Sequence, residues 1–294
     1  MGDKKGKDEE IESETRFLWK LFVDIMMTPV TFALVLIGRK KWTDLFEPFS
    51  YVYRFMFEAK FTIMIIIVNV GVMFASVFFS EELFSSFVNY PSNLLDFGSY
   101  YALVSCGFLH GSLVHLFGNM LGIFVFGRSV ERKLGSGKTA MIYFGALILS
   151  SLFYSVVSLF FMGSDAGAIG ASGALMGLVA AAMLLDPFGI TYQSVVPLPN
   201  IASGWLVIYA DISGILGQVN DGIAHFAHIG GFLSITVTMF LLRADERAEM
   251  ERGFVVNIVS LCVAAAIFFF VSFGYLPSFE FEGSYQSILQ RMGG

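Results

Sequence analysis

The sequence predicts an all-α membrane protein whose chain crosses a bilayer about seven times, each crossing using roughly 20 apolar residues. Of its 294 residues, 56% are hydrophobic and only 14% charged, against about a quarter charged in soluble domains. Mean hydropathy is +0.72. The charges are also bunched, leaving charge-free runs at 61–80, 97–127, 139–164, 166–185, 187–210, 222–242 and 253–279. A charge near the bilayer centre costs roughly 3 kcal/mol on insertion scales, so these runs mark the spans.

Taken in order, residues 1–16 form a charged tail without the apolar core of a signal peptide. Residues 21–38 are apolar but carry Asp24 and Pro29 between basic flanks, which predicts an interfacial or re-entrant helix rather than a crossing. The run 61–80 is the first span. The run 97–127 is too long for one crossing, so Gly107 to Gly111 is expected to dip in as a loop before the second span. Runs 139–164 and 166–185 hold the third and fourth. In 187–210, Pro187, Pro197 and Pro199 suit a loop, and the fifth span is expected from about Ala202 through Asp211 to Gly217. The sixth span lies in 222–242 and a seventh in 254–275. Three domains follow: a tail with its surface helix over 1–60, a catalytic core of six spans over 61–242, and a linker, seventh span and tail over 243–294.

Basic residues set the orientation. Ten of the 18 lie in residues 1–60, four between Arg128 and Lys138, and three between Arg243 and Arg252, whereas 81–100, 163–169 and 218–224 carry acids only. The N-terminus is therefore expected in the cytoplasm and the C-terminus outside, most simply in a plasma membrane. Cys106 and Cys262 lack metal-ligand spacing and read as small buried hydrophobes. A net charge of −6 and the absence of a basic stripe argue against a nucleic-acid partner. The lipid bilayer is the expected surrounding, and oligomeric state is left open.

Polar groups inside spans are expensive and so mark function. All four histidines, His110, His115, His225 and His228, fall in or beside spans, with Asn119, Ser172 and Asp211. Counting back from Asp186, Arg243 and Arg128 at about 1.5 Å per residue puts Ser172, His228 and His115 at one depth, roughly 20 to 22 Å from the inner surface. Asn119, four residues after His115, shares its helix face. Ser172 opens a helix within Gly170-Ala171-Ser172-Gly173, where free N–H groups and the helix dipole favour developing negative charge. A serine hydroxyl needs a base, and His228 is the best placed. Small residues at Gly173, Gly177 and Ala181 on one helix and Ala227 and Gly231 on the other predict close packing of the two. That would form a Ser172–His228 dyad without the acid of a triad, with His115, Asn119 and the Ser172 backbone N–H stabilising an oxyanion. Asp211 is expected to hydrogen-bond within the bundle, with a proton or ion path as the alternative, and His225 to face water at the site's mouth.

His110, His115 and Asn119 in the second span, Gly170-Ala171-Ser172-Gly173 in the fourth and Ala227-His228-Ile229-Gly230-Gly231 in the sixth together resemble a rhomboid protease over roughly residues 60–242. The resemblance implies a rhomboid-like six-helix bundle with an added C-terminal helix. It also implies an intramembrane serine endopeptidase with Ser172 and His228 as dyad and with His115 and Asn119 in the oxyanion hole. His110 would be a supporting hydrogen-bonding residue, Gly170, Gly173 and Gly231 would shape the site, and Glu131 would be structural in the linker after the second span. Transmembrane proteins with a small residue before the cut would be substrates, and neither metal nor organic cofactor is required. The chain departs from the pattern in three places. No Trp-Arg pair occurs in 81–100, Met176 replaces an aromatic residue, and Ile235 replaces a glycine, which would spread the inner halves of the fourth and sixth helices. Two other readings compete. One is a rhomboid-like pseudoprotease that binds membrane proteins, which would not need the dyad. The other is a histidine-lined metal-binding transporter, which lacks a carboxylate-bearing motif such as H-E-x-x-H.

Overall fold

A computed structural model describes residues 14–193, 196–217 and 224–272. The described chain is mainly helical. It opens with α1 (Glu14–Met26), α2 (Thr28–Leu36) and α3 (Glu47–Phe57). The axis turns by 46° between α1 and α2, at the junction where Pro29 enters the first turn of α2 and cannot donate to the preceding turn. Then come α4 (Lys60–Ser76), α5 (Leu113–Leu134), α6 (Ser136–Phe160) and α7 (Ser172–Leu185). Helices α8 (Asn200–Leu216), α9 (His225–Leu241) and α10 (Ala244–Ser272) complete the order. Helices α5, α6 and α10 are long and apolar enough to cross a bilayer, and α4, α7, α8 and α9 are shorter apolar helices. These seven fall on the seven runs read from the charges.

The second run divides as expected: residues 97–108 make only short helical turns, Leu109 is extended, and α5 begins after Ser112. Ser112 caps α5, accepting the His115 N–H at 3.1 Å, which satisfies one orphan donor of the first turn. Three expectations need correction. Ile190–Gln193 (β1) and Val196–Pro199 (β2) pair as antiparallel strands where a plain loop is expected. Helix α8 accordingly starts at Asn200, where Pro199 supplies the fixed φ of the entering residue. The last helix begins at Ala244, well before residue 254, and Cys262 on it is exposed, while Cys106 is buried as expected.

Helix α7 is the centre of the molecule, with all but two of its 14 residues buried. Its alanines and glycines let neighbours approach to backbone distance, the main way helices gain contact where lipid removes the hydrophobic drive. A Cβ at Gly231 of α9 would overlap the Gly173 carbonyl, and one at Gly177 would overlap Ala146 of α6. Helix α9 bends out of regular geometry at Ser234, and the next residue, Ile235, is buried in the core. On the other side of α7, Gly253 of α10 packs against the Leu184 carbonyl, and Asn257 Nδ2 donates to the Met183 carbonyl at 3.0 Å.

Polar clasps close both ends of the bundle. At one end the Glu131 carboxylate accepts the N–H groups of Phe61 and Thr62 at 2.8 and 2.9 Å and the Thr62 hydroxyl at 2.8 Å. It thereby caps the start of α4, a charge-assisted arrangement worth about 1.5–3 kcal/mol per bond, and gives Glu131 the structural part expected of it. Nearby, Lys138 pairs with Glu246, and Lys133 lies 3.5 Å from Asp186. At the other end Asn89 and Ala168 form a two-way backbone bridge. Asn89 Nδ2 donates to the Ser155 hydroxyl at 3.0 Å, and Asp165 accepts from the Ser92 N–H at 2.7 Å and its hydroxyl at 2.8 Å. The segment before Ser172 is thus held from both sides.

Candidate active site

Ser172 is the first residue of α7, so the N–H groups of its turn have no partner within the helix. The chain reaches it through Gly170 at φ +119, a left-handed conformation that side chains resist. The Gly170 N–H donates to the Cys106 carbonyl at 2.9 Å. A Cβ at Gly170 would come within 2.8 Å of the His115 ring and 3.5 Å of Asn119 Nδ2. Glycine is therefore required twice, by the backbone angle and by the space. The result sets His115 and Asn119, one turn apart on α5, against the backbone two residues before Ser172. Asn119 is buried, and its Nδ2 has no hydrogen-bond partner among the described residues.

His228 reaches the same place through the α7–α9 contact. Gly231, one turn after it, rests on Gly173, and the Ala227 carbonyl is 3.8 Å from the position of a Cβ on Gly173. The residues next to Ser172 and His228 are therefore packed against each other. His115 lies within electrostatic range of His228. The structure gathers Ser172, His228, His115, Asn119, Gly170, Gly173 and Gly231 at one end of three adjacent helices. His110 is buried and stacks edge-on to His115, with ring centroids 5.0 Å apart. Neither of its ring nitrogens has a hydrogen-bond partner of good geometry among the described residues.

Two residues differ from their expected parts. His228 has a carboxylate neighbour where none is expected: its Nδ1 lies 2.9 Å from Asp211 Oδ1. The same oxygen is 2.9 Å from His225 Nδ1, so His225 does not face water; its side chain is 10% exposed and that of Asp211 8%. Asp211 does bond within the bundle, as expected, but to both histidines of α9. Helix α8 can deliver it because Gly214, one turn on, leaves room for the His225 ring. Depth alone pointed here, since Asp211 precedes the end of its span at about Gly217 by as little as His225 and His228 follow the start of theirs.

Asp211, His225 and His228 offer ligand atoms within 4.8 Å of one another. Two ligands about 2.1 Å from a tetrahedral ion would stand roughly 3.4 Å apart. The two 2.9 Å separations are instead those of hydrogen bonds, so the residues fit a hydrogen-bonded group better than a metal cage.

Three helices long and apolar enough to cross a bilayer, together with four shorter apolar ones and an internal cluster of ionisable residues, mark a multi-pass membrane protein. The Rhomboid domain model matches residues 98–245, half of the chain, and includes every residue of the cluster. The chain belongs to the rhomboid family, whose members are intramembrane proteases and related rhomboid-like proteins. It is 35% identical to RHOMBOID-like protein 4 of Arabidopsis thaliana over 143 residues, which is 48% of this chain and 33% of that protein. It is 29% identical to the chloroplastic Rhomboid-like protein 11 of the same plant over 203 residues, 64% of this chain and 67% of the relative. With the mitochondrial RHOMBOID-like protein 6 it shares 33% over 156 residues, 51% and 46% of the two chains. The chain thus covers between a third and two thirds of these relatives.

Proposed function

We propose that the protein is an intramembrane serine endopeptidase that cleaves transmembrane proteins near the outer part of the bilayer. The observation that carries this reading is the seat of Ser172: a helix N-terminus, entered through a left-handed glycine, with His115 and Asn119 on one side and the His228 helix on the other. Ser172 Oγ attacks the scissile carbonyl while His228 takes its proton and returns it to the leaving amine. Water then hydrolyses the acyl-enzyme by the same route. His115, Asn119 and the Ser172 N–H face the position of the tetrahedral oxyanion, where each donor is worth about 10²–10³-fold in kcat. Because a helix hides its peptide bonds, substrates are segments that unwind near their external end, with a small residue before the cut. The basic residues support a cytoplasmic N-terminus, an external C-terminus and a plasma-membrane location.

The test is cleavage of a model transmembrane substrate in liposomes by wild type and Ser172→Ala. Wild type is expected to cut and the variant to be inert. Equal cleavage by both would sink the assignment, and stable binding without cleavage by wild type would favour the pseudoprotease reading.

A further inference from the structure

We infer that Asp211 is a positioning residue for the Ser172–His228 pair, so that the site works as an acid-assisted triad distributed over α7, α8 and α9. The inference rests on the serine-protease reading and adds a third residue to it. An ionised carboxylate only accepts hydrogen bonds. Its Oδ1, 2.9 Å from His228 Nδ1, therefore requires the ring proton on that nitrogen. Neutral His228 then keeps its lone pair on Nε2, the atom that must receive the Ser172 proton. The placement is built rather than incidental. Asp211 is held by a second donor, His225 Nδ1, also at 2.9 Å from the same oxygen, and α8 approaches α9 closely because residue 214 is glycine. Two donors on one oxygen fix the carboxylate, and His225 serves to orient Asp211.

The proton balance is simple. As Oγ bonds to the scissile carbon, the Ser172 proton moves to Nε2, and His228 becomes an imidazolium with both nitrogens protonated. Asp211 stays ionised throughout and faces the positive ring without taking its proton. When the C–N bond breaks, the Nε2 proton leaves with the amine. No co-reactant beyond water is needed.

The test compares full-length wild type, Asp211→Asn, Ser172→Ala and Asn257→Ala in liposomes. Asparagine keeps the size but presents an NH₂ group to Nδ1, favouring the tautomer with the proton on Nε2. The expected result is a fall in kcat of about 10²–10⁴-fold in Asp211→Asn with KM within about 3-fold, as for loss of tautomer control in a triad. Asn257→Ala, which removes a bundle hydrogen bond far from the site, should keep kcat. In ¹⁵N-histidine NMR spectra, the His228 signal of wild type should report the Nδ1–H tautomer and that of Asp211→Asn the other. This signature in wild type decides the matter even if the variant does not fold. Wild type in the Nε2–H tautomer, or kcat of Asp211→Asn within about 3-fold of wild type while Ser172→Ala is inert, would overturn the role of Asp211 alone. Cleavage by Ser172→Ala would instead overturn the protease reading beneath it. Zinc bound in equal amount to wild-type protein and lost in Asp211→Asn would also overturn the inference, because a metal would replace the Nδ1 proton.

Discussion

Helices α7 and α10 are both apolar and adjacent, yet they answer to different partners. Nearly every residue of α7 is buried; the backbone of Gly173 meets that of Gly231 on α9 directly, and Gly177 takes Ala146 of α6 against it. Helix α10 touches protein along its first half, through Glu246, Met250, Gly253 and Asn257, and beyond that its side chains are exposed, Phe268 at 73%. Hydropathy reports the solvent a helix tolerates, while the spacing of small residues reports whether another helix lies against it. Under the proposed function the nucleophile sits on the tightly packed helix, where the proton transfer tolerates little displacement.

Gly231→Val should have the largest effect. Overpacking the α7–α9 contact costs about 1–3 kcal/mol or more, and a shift of about 1 Å at the site costs on the order of 10²-fold in rate. Thermal unfolding in detergent and liposome cleavage assays would both register it. Gly170→Ala separates the two effects. A side chain at φ +119 costs about 1–3 kcal/mol, while its collision with the His115 ring should remove at least about 10²-fold of activity, so activity should fall further than Tm predicts. On α10, Asn257→Ala should lower stability by about 0.6 kcal/mol, and at most about 1.7, as for other hydrogen bonds between membrane helices, without altering cleavage. Phe268→Ala should leave stability within about 0.5 kcal/mol and cleavage unchanged. A large loss of activity from Phe268→Ala would break the contrast by showing that the exposed half of α10 is not simply a lipid-facing surface.

Much of this contrast is legible in the sequence, for a physical reason. A bilayer makes every internal polar residue costly, so Ser172, His115, Asn119, His228 and Asp211 stand out without any knowledge of packing, and counting residues from flanking charges gives their depth. Rotation about a helix axis is not readable in that way. Depth places Asp211 beside His225 and His228 but does not say that all three turn toward one another, so Asp211 reads as a generic bundle residue and His225 as a mouth residue. His110 shows the same limit from the other side: its neighbourhood with His115 is legible, but the edge-on packing of the two rings is not. The β1–β2 pair is missed because Pro197 and Pro199 argue against a strand, yet two strands alone form no interior ladder, and proline is tolerated at an edge.

Glu131 has a consequence for the order in which the protein is made. The amide groups of Phe61 and Thr62 wait for an acceptor that lies 70 and 69 residues later in the chain. A nascent chain that has delivered α4 to the membrane therefore still lacks the group that finishes it. Until the last turn of α5 has emerged, those amides must be served by interfacial water. The first core helix to be synthesised is thus locked in place only retrospectively, and a ribosome stalled before residue 131 would hold a span inserted but not yet docked.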